Sequence, residues 1–399
     1  MPFLSDDYFD GGRNLSRGSR SGKGHYTLEE LLNPLVRPAS RQVYVRQGFD
    51  SMGLIEDGSL VSPFTNIQPA VEYVEENLNP GPYNPVLIDI GVGWYYDNVV
   101  VHKPGINFVG AAGKYGTTII APDTGVAFTL TNATKESLVA YRSSGTYSDL
   151  VNQGDAGPQD SQIENLYFLS WDSNAFEALG VQGDKNADTT NFCYGVVSFG
   201  VYVENCTSWS ATDDGYYIRN AVGLSLKNSN DAYSAGTGLY CINCKGSGLS
   251  FSIFASDVTW NYDSTDPNGK AHGTQTGLYI RLSDVHSSVV ISNEGKGYLN
   301  NSRARGVVVG GSGSLKVYIS HIELACDLNG TVSMEFFNGF IEDDLTAEGG
   351  VTFDFANVHC EGDVTLAAGA GACTMDGGRI MGTLTANGRL THTQGDIGT

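Results

Sequence analysis

Positive charge is scarce in this sequence. Its 399 residues carry 23 Lys and Arg against 44 Asp and Glu, a formal net charge of −21. So acidic a body excludes nucleic-acid binding through phosphate contacts, which need clustered Lys and Arg. It suits a soluble particle that does not self-associate, or a surface that holds calcium. Long apolar runs are also missing. No stretch approaches 18 apolar residues, which excludes a membrane-spanning helix. Met1–Lys23 is polar and lacks the apolar centre of an export signal. The seven cysteines form no zinc pattern, because Cys241-x-x-Cys244 has no second Cys or His pair. No metal or redox centre is expected from them, and the odd set suits small buried side chains made in a reducing cytoplasm. Proline is rare, at 12 against 51 glycines.

What is present is glycine, 21 tyrosines and 17 phenylalanines, the composition of a turn-rich all-β chain. The organising stretch is Val201–Gly246. Val201–Gly223 set above Leu224–Gly246 matches at an offset of 23, with Asn205 on Asn228, Gly215 on Gly238, Tyr217 on Tyr240 and Asn220 on Asn243. Runs such as Val201-Tyr-Val203 and Leu224-Ser-Leu226 alternate with the period of a strand that buries one face. Each ends at Asn or Gly, which tolerate the left-handed backbone of a tight turn. A repeat of this length signals a solenoid, and one made of strands and turns is a β-helix.

Four segments follow in order. Residues 1–46 are poor in apolar residues and hold seven Arg and Lys against five Asp and Glu, opposite in sign to the rest. They read as an extended docking arm that orders on a partner. Residues 47–84 form an N-terminal cap whose helix, 66–78, places Ile67, Val71, Val74 and Leu78 on one face. Residues 85–310 are the main parallel β-helix, with loop excursions at 137–161, 172–191 and 261–275. Residues 311–399 continue it with shorter coils, because Val332, Met334, Phe336 and Asn338 recur 19 residues on as Val351, Phe353, Phe355 and Asn357. These small-residue coils suit either a trimerisation segment or a tapering monomer.

The run IQPAVEYVEENL followed by VLIDIGVGWYYDNVVVHKPGINFVGAAGKYGTTIIAP, within Asn66–Pro122, resembles the opening of the pectin-lyase-like superfamily of right-handed parallel β-helices. Pectinesterases, pectate lyases and many bacteriophage tailspikes open this way, with a helix over the first coil. The resemblance implies a right-handed parallel β-helix with an N-terminal capping helix. It is specific over that segment and architectural beyond it.

Chemistry could sit at Thr212-Asp213-Asp214-Gly215. Adjacent carboxylates on a turn, with Asp231 one coil on, could form the acid/base set of a glycosidase, which needs two carboxyls about 5–10 Å apart. The pair resembles the Asp-Asp of polygalacturonases, although their Gly-His-Gly and Arg-x-Lys elements are absent. Alternatively these Asp residues serve turns. Pectinesterase motifs find no match downstream, and Arg219 and Arg281 give only a weak echo of a lyase base. Glu342-Asp343-Asp344 reads as a solvated turn. Trp209, Tyr216, Tyr217, Tyr233 and Trp260 either line a carbohydrate groove or form a ladder that bridges coils.

Three functions fit these features. The first is a bacteriophage virion protein: a β-helical spike, fibre or capsid decoration, homotrimeric, attached to other virion proteins through residues 1–46 and meeting host-surface polysaccharide. It would be made in the host cytoplasm and reach the outside in the particle. The second is a polysaccharide depolymerase, hydrolase or lyase, on the same fold. The third is a secreted carbohydrate-active enzyme. No cofactor is implied beyond a possible calcium ion.

Overall fold

A computed structural model describes residues 41–48, 55–111, 118–151, 157, 158, 160–181, 201–221, 223–244, 247–261, 263, 277–387 and 389–397. Residues 1–40 of the expected docking arm, Cys193 and most of 261–275 lie outside them; the arm's last stretch is instead part of the β-helix, since Gln42–Val45 is a strand that pairs with Leu87–Ile90 and buries Val43 and Val45. The chain is a right-handed parallel β-helix. Three walls run its length, each a ladder of parallel strands contributed once per coil.

The register follows the sequence repeat. In the first wall Tyr202 pairs with Ser225 and Val203 with Leu226. In the third wall Tyr216 pairs with Leu239 and Ile218 with Cys241. Further on, Met334 pairs with Phe353 and Leu345 with Val364. Inward residues of all three walls close one continuous core from Val43 to Ile380. Large rings fill its first half: Phe108, Phe128, Phe168, Phe176, Tyr216 and Phe254 touch in succession with centroids 5.1–5.9 Å apart. Tyr216 and Trp260 are fully buried, so neither can line a surface groove. Their alternation marked the inner face of a strand. The six described cysteines are free and buried, as small apolar side chains.

Helix α1 (Ile67–Asn77) buries Ile67, Ala70, Val71 and Val74. An open solenoid end presents unpaired strand groups, and α1 meets them with side chains. Gln68 Oε1 accepts from the Val100 N–H at 2.8 Å, and Glu75 Oε1 accepts from the His102 N–H at 2.6 Å. Burial raises the Glu75 carboxyl above its ordinary range, against those backbone donors.

A second helix, α2 (Lys135–Ser144), starts near an expected excursion. Thr134 caps it by accepting from the Ser137 N–H, and Gly145 ends it in a left-handed conformation. Its apolar face is narrow, only Leu138 and Ser137 being buried, which is why no helical period stood out. Phe176–Leu179, also inside an expected loop, is a third-wall strand that pairs with Phe128–Thr131 and with Tyr216–Arg219.

Candidate functional site

The corner between the second and third walls is the most elaborate part of the long coils. It is built from residues 171–175, 211–215 and 232–238, stacked one coil above another. Serines knit the stack. Ser210 Oγ donates to Ser173 O at 2.6 Å and accepts from the Asp213 N–H at 2.9 Å.

Three of the candidate carboxylates meet different fates here. Asp214 Oδ1 accepts from both the N–H and hydroxyl of Thr237, one coil on, at 2.7 and 2.6 Å. Asp231 accepts from the Ser234 hydroxyl at 2.6 Å and from the Ser256 N–H at 3.1 Å. It fills the space above two repeat glycines, since a Cβ on Gly215 or Gly238 would stand 2.6 or 2.9 Å from its carboxylate. Burial raises both carboxyls above the usual range, against these hydrogen bonds. Both therefore work as clasps between coils, the turn reading of these residues. Asp213 is exposed, and no hydrogen bond claims its carboxylate among the described residues.

A fourth carboxyl, absent from the sequence reading, lies beside them. Glu177 points outward from Phe176–Leu179 and is only 4% exposed, because Arg142 of α2 covers it. Arg142 stands 3.9 Å from Glu177 Oε2, and Asn174 Nδ2 donates to Oε1 at 2.9 Å. The same Asn174 accepts from the Asp214 N–H at 3.1 Å, which ties Glu177 to the corner. Burial pushes the Glu177 carboxyl up, Arg142 and Asn174 pull it down, and the charge of Asp213 adds to the rise. The arrangement thus offers one carboxyl held toward its protonated form and one free carboxylate, the division of labour that acid/base cleavage uses. The alternation Phe176-Glu-Ala-Leu179 matches Tyr216-Tyr-Ile-Arg219, and that match was the available signal.

Aromatic rings flank the pair on the outside. Trp171 is 49% exposed and meets Trp209 edge-on, with centroids 5.4 Å apart. Tyr233, on the next coil, is 74% exposed. It lies between two hydrogen bonds to the Trp209 strand, Ala232 N–H to Ser208 O and Ser210 N–H to Ser234 Oγ. Its φ is +63°, a conformation that a bulky L residue rarely takes. Of the ring candidates, half-buried Trp209 and exposed Tyr233 lie on consecutive coils, with the unforeseen Trp171 packed against Trp209. Tyr217 packs under α2 and beside Tyr240, 5.8 Å away.

Arg219 stacks on Tyr147 at 4.1 Å and pairs with Asp263 at 3.2 Å. Asp344 is a clasp of the same kind as Asp214, accepting from the Asp363 N–H at 2.7 Å. Among the described residues no group of three or more His, Cys, Asp or Glu is placed to hold a metal ion, and no helix is long and apolar enough to cross a membrane.

No family model matches the chain, and neither does any curated protein. Solved structures that it resembles include the A-module of a mannuronan C-5 epimerase from Azotobacter vinelandii, at 10% identity, covering 84% of this chain and 94% of that one with a TM-score of 0.40. A family 28 exopolygalacturonase from Yersinia enterocolitica gives 10% identity, 90% and 78% coverage and a TM-score of 0.30. A carrot pectin methylesterase gives 12% identity, 88% coverage of each chain and a TM-score of 0.23.

Proposed function

We propose that this β-helix acts on a polysaccharide, held along the corner between its second and third walls. The observation that carries the reading is the row of rings on consecutive coils, exposed Trp171 and Tyr233 with half-buried Trp209 on the coil between them, near a carboxylate that no hydrogen bond claims among the described residues. Ring faces stack on the apolar faces of sugars, and stacked coils offer them at a regular rise to an extended polymer. Asp213 faces the bound chain as the base. Glu177, its carboxyl raised by burial beneath Arg142, sits behind Asp213 and is tied to the corner through Asn174.

The test has two arms. Full-length protein is titrated with a panel of neutral and acidic polysaccharides, and reducing ends are counted. Trp171→Ala with Tyr233→Ala is expected to weaken binding at least tenfold. Asp213→Asn is expected to keep binding and abolish cleavage. Full affinity in the double variant would sink the reading of the corner. Cleavage undiminished in Asp213→Asn would remove the acid/base assignment and leave a binding surface.

A further inference from the structure

The opposite corner, between the first and second walls, holds a column of left-handed residues. Asn165, Asn205, Asn228, Asn301, Asn338 and Asn357 occupy it with φ between +47° and +61°. Their amides bond along the axis, Asn228 to Asn205 at 3.2 Å and Asn357 to Asn338 at 3.1 Å. Asn is the side chain that makes this conformation tolerable. In three coils the same position is taken by Phe251, Leu282 and Ile319, at φ +53°, +48° and +48°. These are poor residues for that backbone, and they are not buried, being 56%, 42% and 62% exposed. With Ile253 and Phe340 they line a groove of about 1040 Å³ that runs along the axis from the coil of Phe251 to that of His359. Strained, solvent-facing apolar side chains gain nothing for the lone chain, so their value lies in what covers them.

We propose that the groove is the contact surface for a second copy of this chain, lying alongside with its coils in step. Three observations select that occupant. First, the polar groups beneath the groove are already used. The hydroxyls of Ser252, Ser283, Ser302 and Ser320 each bond a backbone carbonyl and accept from the backbone of the preceding coil. A sugar would meet few open partners there, whereas an apolar surface needs none. Second, the acids and the arginine of the rim are already engaged within the chain. Arg303 pairs with Glu323, and the carboxylates of Asp284 and Glu342 each face a histidine, His286 at 3.2 Å and His321 at 2.9 Å. On a body of net charge −21 a stretch that carries an internal Arg–Glu pair and engaged carboxylates repels a second copy less than the rest of the surface does. Third, the apolar side chains sit at multiples of one coil's rise, about 4.8 Å, with Phe251 and Leu282 on adjacent coils and Ile319 two coils on, past Asn301. Another coil stack presents the same rise, so it meets all three in register.

The test is sedimentation of the full-length protein over a concentration series, for wild type and for Phe251→Asn, Leu282→Asn and Ile319→Asn combined. Asn suits the left-handed backbone, so the triple variant is expected to melt no lower than the wild-type monomer. Wild type is expected to associate and the variant to sediment as a monomer. A wild type that stays monomeric up to its solubility limit overturns the proposal. So does an oligomer that the folded triple variant leaves intact. A monomeric wild type that binds a polysaccharide through these three residues would hand the groove to a carbohydrate and also overturn it. None of these outcomes touches the Trp171 corner.

Discussion

Between residues 201 and 242 the coil repeats every 23 residues; in the final coils it repeats every 19 or 20. The walls themselves are alike in both. What differs is the corners. In the long coils the second and third walls are joined by residues 211–215 and 232–238. In the short coils the corresponding joint is 342–344, and the first and second walls fuse into single strands such as Ser333–Ile341 and Thr352–Cys360. The core differs with them. Phe176 is stacked against Phe128 at 5.8 Å and touches Tyr216 in a run of rings that crosses coil after coil, while the later coils hold one local cluster, Phe336, Phe353 and Phe355, and are otherwise closed largely by Val, Leu, Ala, Met and Cys. A long corner leaves room for a ledge of rings and a free carboxylate. A short one leaves room only for a clasp such as Asp344. Wall and corner are thus separable, and chemistry follows the corner.

The largest expected effect separates the two cores. Phe176→Ala should cost about 3–5 kcal/mol, since its ring is locked between neighbours that cannot collapse. Val364→Ala, two carbons smaller, should cost about 1–2 kcal/mol. Urea unfolding followed by tyrosine and tryptophan signals would measure both. Because a solenoid couples mainly nearest neighbours, Phe176→Ala should also open the long coils ahead of the short ones. Equal costs, or a single transition unmoved by either change, would erase the distinction between the cores.

A smaller effect tests the long corner alone. The Glu177 carboxyl is raised by burial, so the folded chain binds that proton more tightly than the unfolded chain does. Below the unfolded value both forms hold the proton and no difference arises. As pH rises through the folded value the folded state loses stability, and the penalty is complete above it. Glu177→Gln, which keeps the Asn174 contact, should therefore melt close to wild type in acid and increasingly above it toward neutral pH. Parallel melting curves at all pH values would mean that Glu177 is charged in the fold.

The walls were legible in the sequence because their signal is local. Alternation gave the buried face, and Asn and Gly marked the corners, so the 23- and 19-residue registers follow from the letters alone. The N-terminal helix was legible for the same reason. The proposed site was legible only in part. Asp213, Trp209 and Tyr233 stood out, but Asp214 and Asp231 could not be told from clasps. That distinction depends on Thr237 and Ser256 one coil away. Glu177 was invisible because its role comes from α2 folding back over the third wall, a tertiary event with no fixed spacing. Tyr216 and Trp260 misled because an inward ring and an outward ring obey the same alternation when the phase is unknown.

The smallest effect concerns the corner that long and short coils share. If its left-handed column is set by backbone preference alone, Ile319→Asn should stabilise the monomer and Asn338→Ile should destabilise it, each by about 1 kcal/mol. The two positions lie one coil apart in the same column, between Tyr318–Phe337 pairing on one side and His321–Phe340 pairing on the other. They therefore differ mainly in side chain. Thermal melts of the two single variants at low protein concentration would read the difference. Opposite signs would show that the isolated fold prefers Asn at both coils, so that Ile319 is kept against folding preference. The same sign would mean that coil 319 has a backbone need of its own, and the exposed apolar column would then be a property of the fold instead of a surface held ready for contact.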